Sequence, residues 1–187
     1  MLAEIIKNCQ KGNSEAFAWL LGEYGPRLYS YFYRTTGSPS EAEDMLQDLF
    51  VRLLQKIHAY KHQGKFEHWL FRVAGNMARD RNRKLSHKPR EVSMQAGLQK
   101  SNSPESWLAS QKQGPAEQAQ HSEQAGMLQN ALAQLSEVDR QIIMLRHYSN
   151  MSFNEIAQTM QMPIGTVLSK VHRGLKRLKK IMEQQQT

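Results

Sequence analysis

A chain of 187 residues, 40% of them hydrophobic, supplies cores for one medium domain or two small ones, and a formal net charge of +8 with a pI near 9.7 favours a polyanionic partner. The single cysteine, Cys9, excludes an internal disulfide framework and any cysteine-based zinc site, and it fits a reducing compartment. The opening MLAEIIKNCQKGN lacks the apolar core of a signal peptide, and no run approaches the ~18 apolar residues of a membrane span, so a soluble cytoplasmic protein without membrane insertion is expected.

Helical periodicity dominates and no strand-like alternation competes with it, so the expected fold class is all-α. Two small helical domains, 1–85 and 123–187, are expected on either side of a flexible linker, 86–122. The first long helix follows Asn13 or Ser14 in GNSEAFAWLLGEYGPRLYSYF, with Pro26 read as punctuation. Ser40 and Glu43 fit a capping box opening the next helix, in which each side chain satisfies a backbone N–H of the first turn. That helix sets Leu46, Leu49, Phe50, Leu53 and Leu54 on an apolar side and Glu41, Glu43, Asp44, Gln47 and Asp48 on its early turns. Acid residues are favoured there by the helix dipole alone; a docking surface for a basic partner is the second reading.

After a basic loop, Lys61 to Lys65, a further helix carries Trp69, Leu70, Val73, Ala74 and Met77 inward and ends in Arg79, Arg81, Arg83 and Lys84, opposed only by Asp80. Such a cluster suits a phosphate backbone. Tyr60 and Phe66 flank the loop, and an aromatic ring beside a basic groove can stack on an unpaired base, worth ~1–3 kcal/mol. Core packing is the expected role of Phe66 and Trp69. His58 and His62 stand four apart and could share a helix face as metal ligands, but His68 lies across the loop and no HExxH or cysteine cluster completes a site. No nucleophile elbow, phosphate-binding glycine loop or dinucleotide fingerprint is present, so neither enzymatic activity nor a cofactor is expected.

Residues 86–122 hold three prolines, seven serines and six glutamines with few large apolar groups, a composition that buries too little surface to offset ordering entropy. Trp107 and Leu108 offer a local docking point within it. Beyond it, Ser136 with Asp139 and Ser152 with Glu155 mark helix starts. The helix after Ser152 buries Phe153, Ile156, Ala157 and Met160; Gln161, Met162 and Pro163 then turn the chain into a longer helix from about Ile164. Helix, tight turn and longer helix make a helix-turn-helix. At about 100° per residue, Ile164, Val167, Val171, Leu175, Leu178 and Met182 form an apolar stripe, and Ser169, Arg173, Lys176 and Lys180 gather opposite it, bordered by Thr166 and His172.

The run LSEVDRQIIMLRHYSNMSFNEIAQTMQMPIGTVLSKVHRGLKRLKK, with its EIA, GTV and following basic residues, resembles region four of extracytoplasmic-function sigma factors of bacterial RNA polymerase. Residues 14–84, with AED, QD, WLFR and then Asn76, Asp80 and Arg81, resemble region two of the same family. The resemblance implies that Asp44, Gln47, Asp48 and Phe50 dock on core RNA polymerase. It implies that the loop with Tyr60, Lys61, His62 and Lys65 captures a minus-ten base, and that Asn76, Arg79 and Arg83 line the melted strand. Thr166, Ser169, Lys170, His172, Arg173, Lys176 and Lys180 would read and grip the minus-thirty-five promoter DNA. An anti-sigma factor is the further partner implied. One departure is Leu168, where many members carry a basic residue after GTV. The competing function is a helix-turn-helix regulator that binds an operator without docking on polymerase.

Overall fold

The computed structural model describes residues 1–87 and 115–185, and every regular element among them is helical. In chain order these are α1 (Leu2–Gln10), α2 (Ser14–Thr36), α3 (Pro39–Lys56), a 3-10 turn (Ile57–Ala59), α4 (Phe66–His87), α5 (Pro115–Ala133), α6 (Glu137–Ser149), α7 (Phe153–Met160) and α8 (Ile164–Gln185). The all-α reading holds. Helices α4 and α5 run into both ends of the segment expected to be linker, and its docking point at Trp107 and Leu108 lies outside the described residues.

Local chemistry sets most of the helix starts. The Asn13 side chain accepts from the Ala16 N–H at 2.8 Å, and the Ser136 hydroxyl accepts from Asp139 N–H at 3.2 Å. Ser152 and Glu155 form the expected reciprocal box, Ser152 N–H to Glu155 Oε2 at 2.8 Å and Glu155 N–H to Ser152 Oγ at 3.3 Å. The start of α3 differs from expectation. Its cap is Ser38, which accepts from Glu41 N–H, because Pro39 has the fixed φ suited to the first helical position and needs no N–H there; Ser40 lies inside the helix. Gly37 ends α2 in the left-handed conformation, at φ 79°.

Pro26 does not break α2. It forfeits one backbone bond, yet Leu20 and Tyr24 before it and Leu28, Tyr31 and Phe32 after it all enter the same core, and that burial outweighs the lost bond.

Helix α6 is the pivot of the fold. Six consecutive residues, Arg140 to Leu145, are buried, which places every side of the helix in contact with other chain. It packs on α2 and α4 from one direction and on α8 from another, while α7 packs on α4. The two helical groups therefore lie face to face and share a continuous core. Among the described residues, no helix is long and apolar enough to cross a membrane.

Candidate nucleic-acid interface

The exposed face of α3 carries Asp44, Gln47 and Asp48, whereas Phe50 is half-buried against the core. Leu49 and Leu53 are buried as expected, but Leu54 points outward at 47% exposure and Val51 at 53%. Sequence periodicity assigns Leu54 to the core and passes over Val51. The structure makes them apolar neighbours of the acidic positions on one outward face, a composition suited to a protein partner.

The segment after α3 is built on an aromatic cluster. Phe66 is buried and meets Tyr24 edge-on at 5.6 Å and Tyr60 edge-on at 5.4 Å between ring centres; Tyr60 also lies 4.7 Å from Trp69. The Gln10 side-chain amide, from α1, donates to the Ile57 and Tyr60 carbonyls at 2.9 and 2.8 Å, fixing the start of the loop. Gly64, at φ 75°, supplies the left-handed residue that turns it back. Lys61, His62 and Lys65 are exposed on this loop, and Tyr60 is half-buried with its phenol pKa raised by burial. His58 and His62 do not share a helix face, because the helix ends before them in a 3-10 turn. Among the described residues, no group of three or more potential ligands is arranged for a metal ion.

Along α4, Asn76 and Arg79 are half-buried and Arg83 is exposed. Arg79 does not simply face solvent: its Nη1 donates to the Thr159 carbonyl at 2.8 Å, and Nη2 meets Asp80 at 3.4 Å. Arg81 pairs with Glu41 at the start of α3. Between the two groups lies a recess of about 410 Å³ lined by Tyr60, Lys61, Lys65, Trp69 and Arg72 on one side and by Glu155 and Gln158 of α7 on the other. Arg72, absent from the sequence-based set, adds an exposed cation to the loop side.

Glu155 ties this recess together. It accepts from the Ser152 N–H, lies 3.1 Å from His68 Nδ1 and 3.7 Å from Lys65 Nζ, and the Ser152 backbone bond is the main reason its carboxyl pKa falls from 4.5 to about 2. A depressed carboxylate pKa adds stability above its unfolded value, and that contribution is lost as pH falls through the folded value. The stability advantage of wild type over Glu155→Gln is therefore expected to be full above about pH 4.5 and to shrink toward pH 2, as urea unfolding across that range would measure.

The helix-turn-helix forms as expected, with Gln161 in the left-handed region at φ 54° closing α7 and Met162 N–H bonded to the Ala157 carbonyl at 3.0 Å. On α8, Ser169, His172, Arg173, Lys176 and Lys180 are exposed and Thr166 is half-buried. Lys170 is engaged elsewhere, its Nζ 3.0 Å from Asp139 Oδ1 of α6. The buried stripe is also rotated from the expected one. Val167, Gly174 and Ile181 face inward, while Ile164, Leu168 and Leu175 are 42 to 48% exposed. The cause is Gly174: with no side chain, it lets Ile143 of α6 approach so closely that a Cβ would meet its Cδ1 at 2.8 Å, drawing that side of α8 inward.

Comparison with known proteins agrees with this geometry. Residues 20–88 match Sigma-70 region 2 and residues 125–178 match Sigma-70 region 4. The chain is 31% identical over 183 residues to the ECF RNA polymerase sigma factor SigW of Bacillus subtilis, covering 96% of each chain. Among solved structures, it shares a fold with CnrH in complex with the cytosolic domain of CnrY (TM-score 0.60, 20% identity, 96% of this chain and 95% of that one). It shares one equally with the sigma factor RpoE in complex with the anti-sigma factor NepR from Bartonella quintana (TM-score 0.60, 22% identity, 89% and 96%). With a region-two helical group carrying the basic loop, a region-four helix-turn-helix behind it, and a full-length relative of this similarity, the chain belongs to the ECF sigma factors of RNA polymerase.

Proposed function

We infer that the chain works as an alternative sigma factor whose two helical groups divide the task. The first, residues 1–85, binds core RNA polymerase through Asp44, Gln47, Asp48 and Phe50, joined by Val51 and Leu54. It opens the minus-ten element through Tyr60, Lys61, His62, Lys65, Asn76, Arg79 and Arg83. The second, residues 123–187, reads the minus-thirty-five element through α8. Catalysis belongs to the polymerase, and the working compartment is the cytoplasm. An anti-sigma factor is the matching antagonist, by analogy with the NepR complex.

The observation that carries this reading is α8: a capped helix and tight turn precede it, and Ser169, His172, Arg173, Lys176 and Lys180 stand exposed along its length. Run-off transcription with bacterial core polymerase on a randomised promoter library tests it. Defined transcripts that need both proteins are expected. A specific footprint made by the chain alone, with no transcript, would favour the operator-binding regulator.

Asp48→Lys puts a cation on the outward α3 face and is expected to weaken holoenzyme formation severalfold with an unchanged unfolding midpoint, because Asp48 is exposed. Competition against a labelled second sigma factor would measure it. Leu168 is 44% exposed, and we infer that it supplies an apolar contact to the C5-methyl of a thymine. Leu168→Lys is expected to lower preference for a T·A pair at one minus-thirty-five position and to raise sequence-independent affinity, as read from a panel of mutated promoters.

A further inference from the structure

Helix α8 has two faces that could pack inward, and it uses the less apolar one. Val167, Lys170, Gly174 and Ile181 share the inward side, whereas Ile164, Leu168 and Leu175 lie roughly 100° away around the axis, the angle of one residue. The second face carries three large aliphatic side chains, whose burial would be favoured by about 25 cal/mol per Å² of apolar surface removed from water. It nevertheless stays 42 to 48% exposed. The inward face is therefore held by something that apolar area does not supply.

Two contacts one turn apart supply it. Lys170 Nζ lies 3.0 Å from Asp139 Oδ1 of α6, and Gly174, four residues along α8, lies over Ile143, four residues along α6. A Cβ at Gly174 would meet Ile143 Cδ1 at 2.8 Å and Asp139 Cβ at 3.7 Å, so the glycine seats α8 on the same ridge of α6 that carries the lysine's partner. The ion pair is well placed to hold that seat. Its side chains are only 24 and 23% exposed, which limits screening by salt, and Asp139 is fixed in the first turn of α6, where its own N–H donates to Ser136 Oγ. A carboxylate in that turn also complements the helix dipole.

We propose that the Lys170–Asp139 pair, with the glycine seat beside it, determines specificity by fixing the rotation of α8 about its axis, and so decides which side chains meet the minus-thirty-five bases. The proposal rests on the reading of α8 as the helix that enters the major groove. Without the pair, α8 rolls toward burial of Leu168 and Leu175, and Thr166, Ser169, His172 and Arg173 turn with it. Lys170 and Asp139 act through helix position, and neither touches DNA.

The test removes each charge in the full chain while keeping its shape, as Lys170→Met, Asp139→Asn and the double variant. On holoenzyme, each single variant is expected to lower discrimination between the preferred minus-thirty-five element and a single-base mismatch about tenfold, and the double variant no further, because the two side chains form one interaction. The slope of log affinity against log salt should keep its wild-type value. Rotation is read separately in the free protein from Leu175→Cys labelled with a maleimide, Cys9 being buried. Adding Asp139→Asn should slow that labelling severalfold. A Lys170→Met variant that lost about 0.9 of the salt slope while Asp139→Asn matched wild type would make Lys170 a phosphate grip and overturn the proposal. Unchanged labelling, or losses of discrimination that add in the double variant, would overturn it too. If labelling slowed while the wild type itself showed no preference at any minus-thirty-five position, the reading of α8 would fall and the specificity role with it.

Discussion

Phe66→Ala is expected to lower the unfolding free energy by about 3–5 kcal/mol, as measured by urea titration, because the removed ring is 1% exposed and packs against three aromatic side chains, Tyr24, Tyr60 and Trp69. The loss has a functional side. Tyr60 rests edge-on against Phe66, and Gln10 secures the backbone of the same residue, so the loop that follows inherits its position from this cluster. Tyr60→Ala should behave differently. Tyr60 is only partly buried and lines the recess, so truncating it should cost less stability than Phe66→Ala, leave closed promoter complexes nearly intact and reduce permanganate reactivity of unpaired thymines. Equal losses of closed and open complexes would make Tyr60 a packing residue.

These two aromatic residues also show where sequence reading works. Phe66 and Trp69 were legible as packing residues because they follow a helical period, and the Ser152–Glu155 box was legible because both partners lie within one turn. Ser38 and Ser40 each precede a glutamate by three residues, and only the fixed φ of Pro39 decides between them. The remaining misses depend on partners distant in sequence. Nothing near Gly75 announces that Thr159 and Leu145 will sit on it, and nothing near Pro26 says that both halves of α2 will find one core. Arg140 and Gln141 of α6 are buried with its apolar residues because α4 and α8 cover it from two directions. Lys170 enters the DNA-binding set through the family resemblance, but Asp139, 31 residues away, claims it.

The basic half of α8 divides by position into readers and grips, and substitution should separate them. Arg173 is exposed, its Nε only 3.3 Å from the Ser169 carbonyl of its own helix, so its guanidinium edge remains available to a guanine in the major groove. Arg173→Ala is expected to cost about 1–3 kcal/mol on the preferred promoter and to flatten preference at one minus-thirty-five base pair. Lys180 lies two turns farther along, near the end of the helix and beyond the residues at its N-terminal end that enter a groove first. Lys180→Ala should weaken binding to all sequences alike and reduce the slope of log affinity against log salt by about 0.9, the counterion release for one neutralised phosphate. Both would be measured on holoenzyme, since the free chain holds α7 against α4. An Arg173 variant that kept its base preference and lost only salt dependence would move the reading role to Thr166, Ser169 and His172. The basic half would then act as a clamp whose specificity comes entirely from the first two turns of the helix.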